Sequence, residues 1–308
     1  MVTELLDAQI YHQTVRPRLR FLLRYMRQKK YINLFAFFLV TLYLGCSPLL
    51  LCSLLEFQPI KANGYGPGRP TVNRQDIFFN SKNGKKLHAW YFKNANAKKT
   101  ALVHHGQAGN VASFLDTAYA LVSSGASVFL YDYEGYGMSE GHPSNANLCD
   151  DADAAYEYLV AQKLAAPDDI IEVGLSMGSG LACRMAESRP CAGLILVGAY
   201  TSLEQVAKHH LAFLRLYPSF IFPRPDLGIG NLFKEKKTPL LLIHSIQDPL
   251  LPIAMADEIY AAAQGPKTYI RLNLSPGVHL GGLSDSDDPT NPRSSVYVCR
   301  AFLKTLAN

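Results

Sequence analysis

Short apolar runs alternate with longer amphipathic stretches along most of the chain after residue 75. The runs are rich in β-branched residues and are bounded by glycine, proline, asparagine or aspartate, a pattern typical of buried strands. The stretches between them carry apolar residues at helical spacing. Strands that alternate with helices predict an α/β domain with a mostly parallel sheet. The predicted strands are 76–79, 87–92, 101–104, 128–131, 170–173, 194–197, 240–244 and 268–272.

Predicted helices fill most of the intervals between these strands. Asn83-Gly84 separates the first two strands and predicts an antiparallel hairpin at the edge of the sheet. The helices are expected at 111–123, 147–161, 180–187, 257–263 and 294–306, with a further helical stretch that ends at Leu214. Prolines and aromatic residues interrupt the pattern at 217–231. We expect a small cap within 199–238 that forms an apolar acyl pocket above the strand ends, and an ordinary surface crossover is the alternative.

A different apolar pattern, without polar alternation, lies near the N-terminus. Residues 31–44 are apolar apart from Asn33 and Thr41, and a second apolar run follows Pro48. About 25 apolar residues are enough for a helix that crosses a bilayer. Basic residues before such a helix would keep that end cytoplasmic. They are Arg16, Arg18, Arg20, Arg24, Arg27, Lys29 and Lys30.

The same residues also resemble a bacterial lipoprotein signal peptide. From Met26 the chain has a short basic region, an apolar region and then Gly45 before Cys46. Cleavage before Cys46 would leave its thiol to carry a lipid anchor, and Met26 would then be the true start. A transmembrane helix, a lipoprotein signal and a buried core helix stay open. The first two place the protein at a membrane.

Composition and charge agree with one large α/β domain that follows an N-terminal extension. The chain has 308 residues, and its net charge of +5 comes mostly from the basic cluster in residues 16–30, so we expect no nucleic-acid partner. The six cysteines include no C-x-x-C pair, so neither a zinc site nor a redox motif is indicated. We expect a basic and membrane-associated region at 1–55, a linker without regular elements at 56–75, and a catalytic domain at 76–308.

A serine stands at the end of one predicted strand. Residues 170–180 read IIEVGLSMGSG, a buried strand followed by a tight turn and a helix, with Ser176 at the tip. Such a turn strains the serine backbone and exposes its hydroxyl, and it needs small residues at Gly174 and Gly178 to avoid the neighbouring strand and helix. The N–H of Met177 at the start of the helix is placed to stabilise an oxyanion.

A second loop supplies a candidate partner for that oxyanion donor. The strand 101–104 runs into the small-residue loop HGQAGN, and we expect the N–H of Gln107 to be the second donor. An ordinary strand-to-helix turn is the alternative. His104 and His105 are adjacent, so they point to opposite sides of an extended strand and do not suggest a shared metal.

An acid and a base follow the serine in chain order. Asp248 comes just after the strand 240–244, and His279 lies on the loop after the strand 268–272. A serine hydroxyl needs a base to remove its proton, and a histidine near neutral pH can do this. An aspartate holds the histidine tautomer and stabilises the imidazolium. The three residues therefore predict a catalytic triad. Asp132, at the end of another strand, is expected to fix its loop by hydrogen bonds.

Several segments of residues 74–307 resemble the α/β-hydrolase family, namely HHGQAGN, DYEGYGMSEG, GLSMGSG, HSIQD and PGVH. They are similar to the branch that includes membrane-associated esterases, monoacylglycerol-lipase-like and depalmitoylase-like proteins, and bacterial lipoproteins. The resemblance implies an α/β-hydrolase fold, with a mostly parallel eight-stranded sheet and helices on both faces. It also implies a triad of Ser176, Asp248 and His279. One departure is Ser245, where the family usually has glycine after the strand histidine.

These residues predict a serine hydrolase that needs no cofactor and no metal. We expect a small-molecule carboxylic ester or thioester with an acyl, lipid-like group as the substrate. A serine peptidase or aminopeptidase that uses the same triad is the alternative, although no acidic cluster is clearly placed to bind a substrate amino terminus. A non-enzymatic, membrane-tethered scaffold is the third hypothesis. The expected location is a membrane, through lipidated Cys46 or through a single N-terminal helix.

Overall fold

The structure is a computed structural model that describes residues 57–61, 74–230, 232–274, 279 and 294–306, with scattered residues between 32 and 48. The chain divides into two compact units, Met1–Leu51 and Cys52–Asn308. Among the described residues, no helix has both the length and the apolar character needed to span a bilayer. Most of the predicted membrane or signal segment lies outside the described residues, as does Cys46. Both therefore stay predictions.

A mixed eight-stranded sheet forms the centre of the second unit. The strands in chain order are β1 (Gln58–Pro59), β2 (Arg74–Asn80), β3 (Lys86–Phe92), β4 (Thr100–His104), β5 (Ala108–Gly109), β6 (Ser127–Tyr131), β7 (Ile170–Leu175), β8 (Gly193–Val197), β9 (Leu240–Ser245) and β10 (Lys267–Leu272). The order across the sheet is β10-β9-β8-β7-β4-β6-β3-β2, while β1 and β5 pair separately. Only β3 is antiparallel to its two neighbours, β2 and β6. The predicted mostly parallel sheet and its edge hairpin are confirmed.

Helices cover both faces of this sheet. They are α1 (Leu115–Ser124), α2 (Asn145–Ala161), α3 (Gly178–Ser188), α4 (Leu203–His210), α5 (Leu232–Glu235), α6 (Ile253–Ala262) and α7 (Ser295–Thr305). Short 3₁₀ helices occur at 111–114, 167–169, 212–216 and 219–221. Polar side chains cap several helices, as where Ser144 accepts a hydrogen bond from the N–H of Asn147 at the start of α2.

Alternate residues of each strand enter different cores. In β3, Trp90 and Phe92 pack with α1 and α7, while Ala89 and Tyr91 pack on the opposite face with α2 and α3. This division follows from the two-residue period of strand side chains. The central strands are buried on both faces, which explains why they read as continuous apolar runs rather than as alternating ones.

Three sequence-based boundaries were wrong. The stretch 56–75 contains strand β1 and the first residues of β2, although its glycines and prolines predicted no regular element. The helix expected from residue 257 already begins at Ile253, directly after Pro252. The helical stretch expected to reach Leu214 ends at His210 as an α-helix and is followed by the 3₁₀ helix 212–216. The pairing of distant strands and the turn at Pro252 contribute to these boundaries. The spacing of apolar residues along the sequence does not predict them.

Candidate active site

The turn between β7 and α3 holds Ser176 in a strained conformation. Its φ angle is +50°, which residues with a Cβ rarely adopt. The Ser176 N–H donates to the carbonyl oxygen of Val197 at 2.9 Å, and its carbonyl oxygen accepts from the N–H of Ser179 at 2.8 Å. Two backbone hydrogen bonds thus hold the turn between a central strand and the first turn of a helix.

Glycines are required on both sides of that serine. A Cβ at Gly174 would lie 2.4 Å from the Cα of Ser179, and one at Gly178 would lie 2.0 Å from the carbonyl oxygen of His104. Both contacts are with backbone atoms, which cannot move aside without shifting a strand or a helix. The predicted need for small residues at these positions is confirmed.

The structure brings Ser176, His279 and Asp248 together. His279 Nε2 lies 2.7 Å from Ser176 Oγ, and His279 Nδ1 lies 2.7 Å from Asp248 Oδ2. With Asp248 ionised, Nδ1 carries the proton of the neutral imidazole, and Nε2 is then free to accept the serine proton. This is the arrangement that a serine nucleophile needs in order to react near neutral pH.

Asp248 is held as a carboxylate by a tight turn after β9. Its Oδ1 accepts hydrogen bonds from the N–H groups of Leu250 at 2.8 Å and Leu251 at 2.9 Å. Burial of its side chain would raise the pKa of Asp248, but the hydrogen bond to His279 and the two backbone donors outweigh burial and lower that pKa. The carboxyl group is therefore charged where its negative charge can stabilise a histidinium.

The loop after β4 lies beside the serine. A Cβ at Gly106 would be only 3.5 Å from the Cβ of Ser176. In the described part of the chain, the N–H groups of Gln107 and Met177 donate to no other protein group. Donors without an internal partner next to a strained serine are what an oxyanion hole requires. Their roles as oxyanion donors stay a prediction.

His105 fixes the peptide that carries the Gln107 N–H. Its Nδ1 lies 2.7 Å from the carbonyl oxygen of Gly106, and this carbonyl belongs to the same planar peptide as the Gln107 N–H. Burial lowers the pKa of His105 to about 4, although the nearby Asp132 carboxylate partly opposes this. The ring is thus neutral near pH 7 and donates from Nδ1 to that carbonyl.

Comparisons with known proteins find a matching family model and several relatives. The family model described as serine aminopeptidase, S33, matches residues 95–227. The Mycobacterium tuberculosis protein Rv2307c is 33% identical over 206 residues, which cover 66% of this chain and 71% of the relative. The chain belongs to the α/β-hydrolase family. The Arabidopsis thaliana α/β-hydrolase domain-containing protein WAV2 is 28% identical over 232 residues, with 70% of this chain and 75% of WAV2 covered.

Solved structures show the same fold. The esterase Pf2001 of Pyrococcus furiosus superposes with a TM-score of 0.61 at 17% identity, and the match covers 82% of this chain and 98% of the esterase. An α/β-hydrolase of Vibrio vulnificus superposes with a TM-score of 0.58 at 20% identity, covering 76% of this chain and 80% of that one. At such low identity, these likenesses establish the fold and not the substrate.

The hydroxyl of the serine that departs from the family glycine has no hydrogen-bond partner among the described residues of this α/β-hydrolase. Ser245 is the last residue of β9, and it is buried. Its carbonyl oxygen accepts the N–H of Asp248 at 3.3 Å, which starts the turn that carries the carboxylate. A serine at this position therefore leaves the contact between Asp248 and His279 intact.

Three tyrosine hydroxyls at the α/β-hydrolase site were missed from the sequence. Tyr133 donates to the carbonyl oxygen of His105 at 2.8 Å, and Tyr136 donates to that of Gln107 at 2.7 Å. Tyr200 donates to the carbonyl oxygen of Met177 at 3.1 Å. Each hydroxyl binds a carbonyl close to a predicted oxyanion donor. The one sequence feature that could have indicated these hydroxyls is the loop DYEGYGMSEG, which contains two of the three tyrosines.

Several other polar side chains near the site have structural partners. Asp132 Oδ1 accepts the N–H of Val111 at 2.8 Å, and its carbonyl oxygen accepts the Ser139 hydroxyl at 2.7 Å. These bonds agree with the predicted loop-fixing role. His104 and His105 have separate surroundings, as expected from their adjacent positions. In the part of the chain that the structure describes, no group of three or more His, Cys, Asp or Glu residues could hold a metal.

Proposed function

We propose that this α/β-hydrolase is a serine hydrolase that cleaves carboxylic esters or thioesters with an acyl, lipid-like group. The observation that carries the proposal is the position of the His279 ring, whose two nitrogens lie 2.7 Å from Ser176 Oγ and 2.7 Å from Asp248 Oδ2. These residues are separated by 72 and 31 positions along the chain (248 − 176 and 279 − 248). A serine, a histidine and an aspartate in this arrangement can carry out acyl transfer.

Acylation follows from these contacts. Ser176 Oγ attacks the substrate carbonyl carbon while His279 Nε2 takes the hydroxyl proton, and Asp248 stabilises the resulting imidazolium. The carbonyl π electrons move onto oxygen, and the N–H groups of Gln107 and Met177 stabilise that oxyanion. When the tetrahedral intermediate collapses, the bond to the leaving alkoxide or thiolate breaks. His279 Nε2 donates its proton to the leaving group, which gives an alcohol or thiol and the Ser176 acyl-enzyme.

Deacylation repeats the same steps with water. His279 Nε2 takes a proton from the water as its oxygen attacks the acyl carbon, and the second tetrahedral intermediate releases Ser176 with that proton. The net reaction consumes one water and forms one carboxylic acid. Every proton transfer uses side chains of this chain, so the proposed mechanism includes no cofactor or metal.

The choice of an acyl substrate is supported by the segment between β8 and β9. The predicted cap 199–238 contains α4, and His210 Nε2 at its end lies 2.7 Å from the carbonyl oxygen of Leu250, beside the Asp248 turn. Apolar side chains on this segment and on that turn are exposed, namely Phe213, Leu216, Phe220, Ile246 and Leu250. Exposed apolar side chains on a segment that contacts the Asp248 turn favour substrates with a hydrocarbon chain. The Pyrococcus furiosus fold relative is itself an esterase.

An aminopeptidase is the second candidate because the matching family model is described as serine aminopeptidase. The same acylation chemistry would break an amide bond. Hydrolysis of p-nitrophenyl acyl esters of increasing chain length should be compared with hydrolysis of aminoacyl p-nitroanilides. We expect kcat/KM to be higher for the esters and to rise with acyl length. Faster cleavage of the aminoacyl amides would favour the aminopeptidase.

Labelling with a fluorophosphonate tests the nucleophile directly. We expect the wild-type protein to take up one label and Ser176→Ala to take up none. Ser188→Ala is the matched control, because this serine is exposed and its hydroxyl donates to the carbonyl oxygen of Arg184, and it should label normally. A folded wild-type protein that takes no label would favour the non-enzymatic scaffold. That hypothesis also expects His279→Ala to leave every cellular phenotype unchanged.

We also propose that the N-terminal region attaches the enzyme to a membrane, through a lipid on Cys46 or a retained helix. The support is the uncharged apolar run 31–55 behind the basic cluster 16–30. Mass spectrometry of the mature N-terminus distinguishes the two anchors. A chain that begins at a lipidated Cys46 would establish the lipoprotein, and an intact Met1 would exclude cleavage.

A further inference from the structure

A short segment before the catalytic domain is bonded to the loop that carries Gln107. We call this segment, residues 57–61, the strap. Its Gln58 N–H donates to the carbonyl oxygen of Gln107 at 3.1 Å, and its Ile60 N–H donates to that of Gly109 at 3.0 Å. These bonds form the parallel pairing of β1 with β5. The strap thus runs along the loop on the C-terminal side of the predicted oxyanion donor.

The strap also binds the glycine-punctuated loop 132–141. The Ile60 carbonyl oxygen accepts the N–H of Gly137 at 3.1 Å and the side-chain amide of Asn110 at 3.1 Å. Lys61 Nζ donates to the carbonyl oxygen of Ser139 at 3.0 Å. These hydrogen bonds tie the strap to two loops of the site.

Burial of apolar surface does not explain this contact. The side chains of Gln58, Pro59, Ile60 and Lys61 are all exposed, and Ile60 retains 57% of its accessible surface. Within the strap only Phe57 packs against a core cluster. The strap is held mainly by hydrogen bonds of its backbone. These bonds also fix the position of the loop 107–109 with which it pairs.

We infer that the strap is a positioning element for the oxyanion donor Gln107. The peptide that follows Gln107 is fixed at its carbonyl oxygen by the Gln58 N–H and the Tyr136 hydroxyl. The peptide that precedes Gln107 is fixed at the Gly106 carbonyl by His105 Nδ1. Residue 107 is therefore restrained on both sides, and its N–H direction depends on both restraints. This role rests on the function proposed above, because it presumes an oxyanion hole.

Proline substitution in the strap tests the inference in the full-length chain. Gln58→Pro removes the N–H that binds the Gln107 carbonyl, while Gln58→Ala keeps that N–H and removes only an exposed side chain. We expect kcat per active site, counted by fluorophosphonate titration, to fall by about tenfold to a hundredfold in Gln58→Pro. Gln58→Ala should keep the wild-type kcat. KM should change little in either variant, because the donor acts on the oxyanion and not on the ground-state ester.

A second pair of variants and a second measurement distinguish a positioning effect from misfolding. Ile60→Pro removes the donor to Gly109 independently, and Ile60→Ala is its control. A trifluoromethyl ketone forms a tetrahedral oxyanion adduct with a serine, so its affinity should fall in parallel with kcat in the proline variants. A merely structural strap would instead lower the melting temperature and the fraction of titratable sites, and leave kcat per site unchanged.

Three outcomes overturn the inference in different ways. If a folded Gln58→Pro or Ile60→Pro variant keeps wild-type kcat per site and ketone affinity, the strap does not position the donor although the hydrolase stands. If the wild-type protein hydrolyses no ester or amide and takes no fluorophosphonate, the proposed function itself fails. Equal losses in the proline variants and their alanine controls would also contradict a role of the backbone N–H groups.

Discussion

His104 and Glu172 form a buried contact between two central strands of the sheet, with 2.7 Å between His104 Nε2 and Glu172 Oε2. Both side chains are fully buried, and they lie on the adjacent central strands β4 and β7. Burial raises the pKa of Glu172, and the hydrogen bond to His104 opposes that effect. The other ring nitrogen, Nδ1, is 2.8 Å from the Tyr131 hydroxyl. Both ring nitrogens of His104 therefore have hydrogen-bond partners. In His105 only Nδ1 has one among the described residues.

Loss of one partner from this pair should destabilise the fold without impairing the chemistry. Glu172→Ala leaves His104 without its acceptor and opens a cavity, so we expect the free energy of unfolding to fall by about 3–5 kcal/mol. Glu172→Gln keeps an acceptor at nearly the same volume and should lose less. Urea denaturation measures both. The two side chains bond each other and Tyr131, and the Ser176 hydroxyl bonds His279. We therefore expect kcat per titrated site to be unchanged in the variants that fold, and a reduced kcat would place this pair in the catalytic machinery.

The close approach at Gly178 predicts an intolerant position. Gly178→Ala would push a methyl group to 2.0 Å from the His104 carbonyl oxygen, so the helix or the strand must shift, and we expect a loss of about 3 kcal/mol or more in unfolding free energy. Gly106→Ala is the control, because its Cβ would meet atoms only at ordinary distances of 3.5–3.6 Å. Thermal melts of the two variants should differ clearly. Equal melting temperatures would show that the turn relaxes more easily than its contacts indicate.

The cluster of Ser176, Asp248 and His279 was predictable because the physics behind it is local. Each residue follows an apolar run, and the carboxyl ends of parallel strands meet at one edge of a sheet. The chain order then brings three strand-end residues together without knowledge of their exact distances. The same reasoning placed the hairpin at Asn83-Gly84, since the turn type that joins two strands depends on those two residues.

The contacts around Gln107 were not predictable for the opposite reason. A strand of two residues has no period to detect, and β1 lies among prolines and glycines that indicate a linker. Its partner in β5 is 50 residues away, as Gln58 pairs with Ala108. The Tyr136 hydroxyl likewise finds the Gln107 carbonyl only after the sheet has set the relative position of two loops. Such bonds depend on how segments that are distant in sequence align in the fold, and no local sequence pattern predicts that alignment.

Asp248→Asn should lower activity by changing the tautomer of His279. The asparagine Oδ1 can still accept the N–H groups of Leu250 and Leu251, so the turn should hold. The asparagine amide then donates a hydrogen bond to His279 Nδ1, so the ring proton moves to Nε2. A protonated Nε2 can no longer accept the hydroxyl proton of Ser176. We expect kcat to fall about 10⁴-fold, measured with a p-nitrophenyl ester.

The same chemical change elsewhere in the domain is the control for that experiment. Asp257→Asn alters an aspartate that bonds Tyr269 and Arg271 away from the triad, and it should keep nearly wild-type kcat. A folded Asp248→Asn protein with wild-type activity would remove Asp248 from the proposed mechanism, while the labelling of Ser176 would still test the nucleophile.

Asp151 should make stability depend on pH in a direction unusual for a carboxylate. Its side chain is fully buried and accepts hydrogen bonds from the Ser81 hydroxyl at 2.6 Å and the Glu134 N–H at 2.8 Å. Burial raises the pKa of Asp151 to about 7, against an ordinary value of 3.8, although those two hydrogen bonds oppose the rise. Between these two values the folded protein binds a proton that the unfolded chain has released. The contribution of Asp151 to stability therefore falls as pH rises through this window.

Asp151→Asn isolates this contribution, because the amide stays neutral at every pH. Its oxygen can accept the Glu134 N–H, and its nitrogen can donate to the Ser81 hydroxyl, which also accepts hydrogen bonds. Urea denaturation from pH 5 to pH 8 should show wild-type stability falling relative to Asp151→Asn up to about pH 7, by roughly 1.4 kcal/mol per unit of pH. Above that pH both folded and unfolded chains carry the ionised carboxylate, so the difference should become constant. Parallel curves across the whole range would mean that the Asp151 carboxylate is already ionised in the fold at pH 5, and that its hydrogen bonds outweigh its burial.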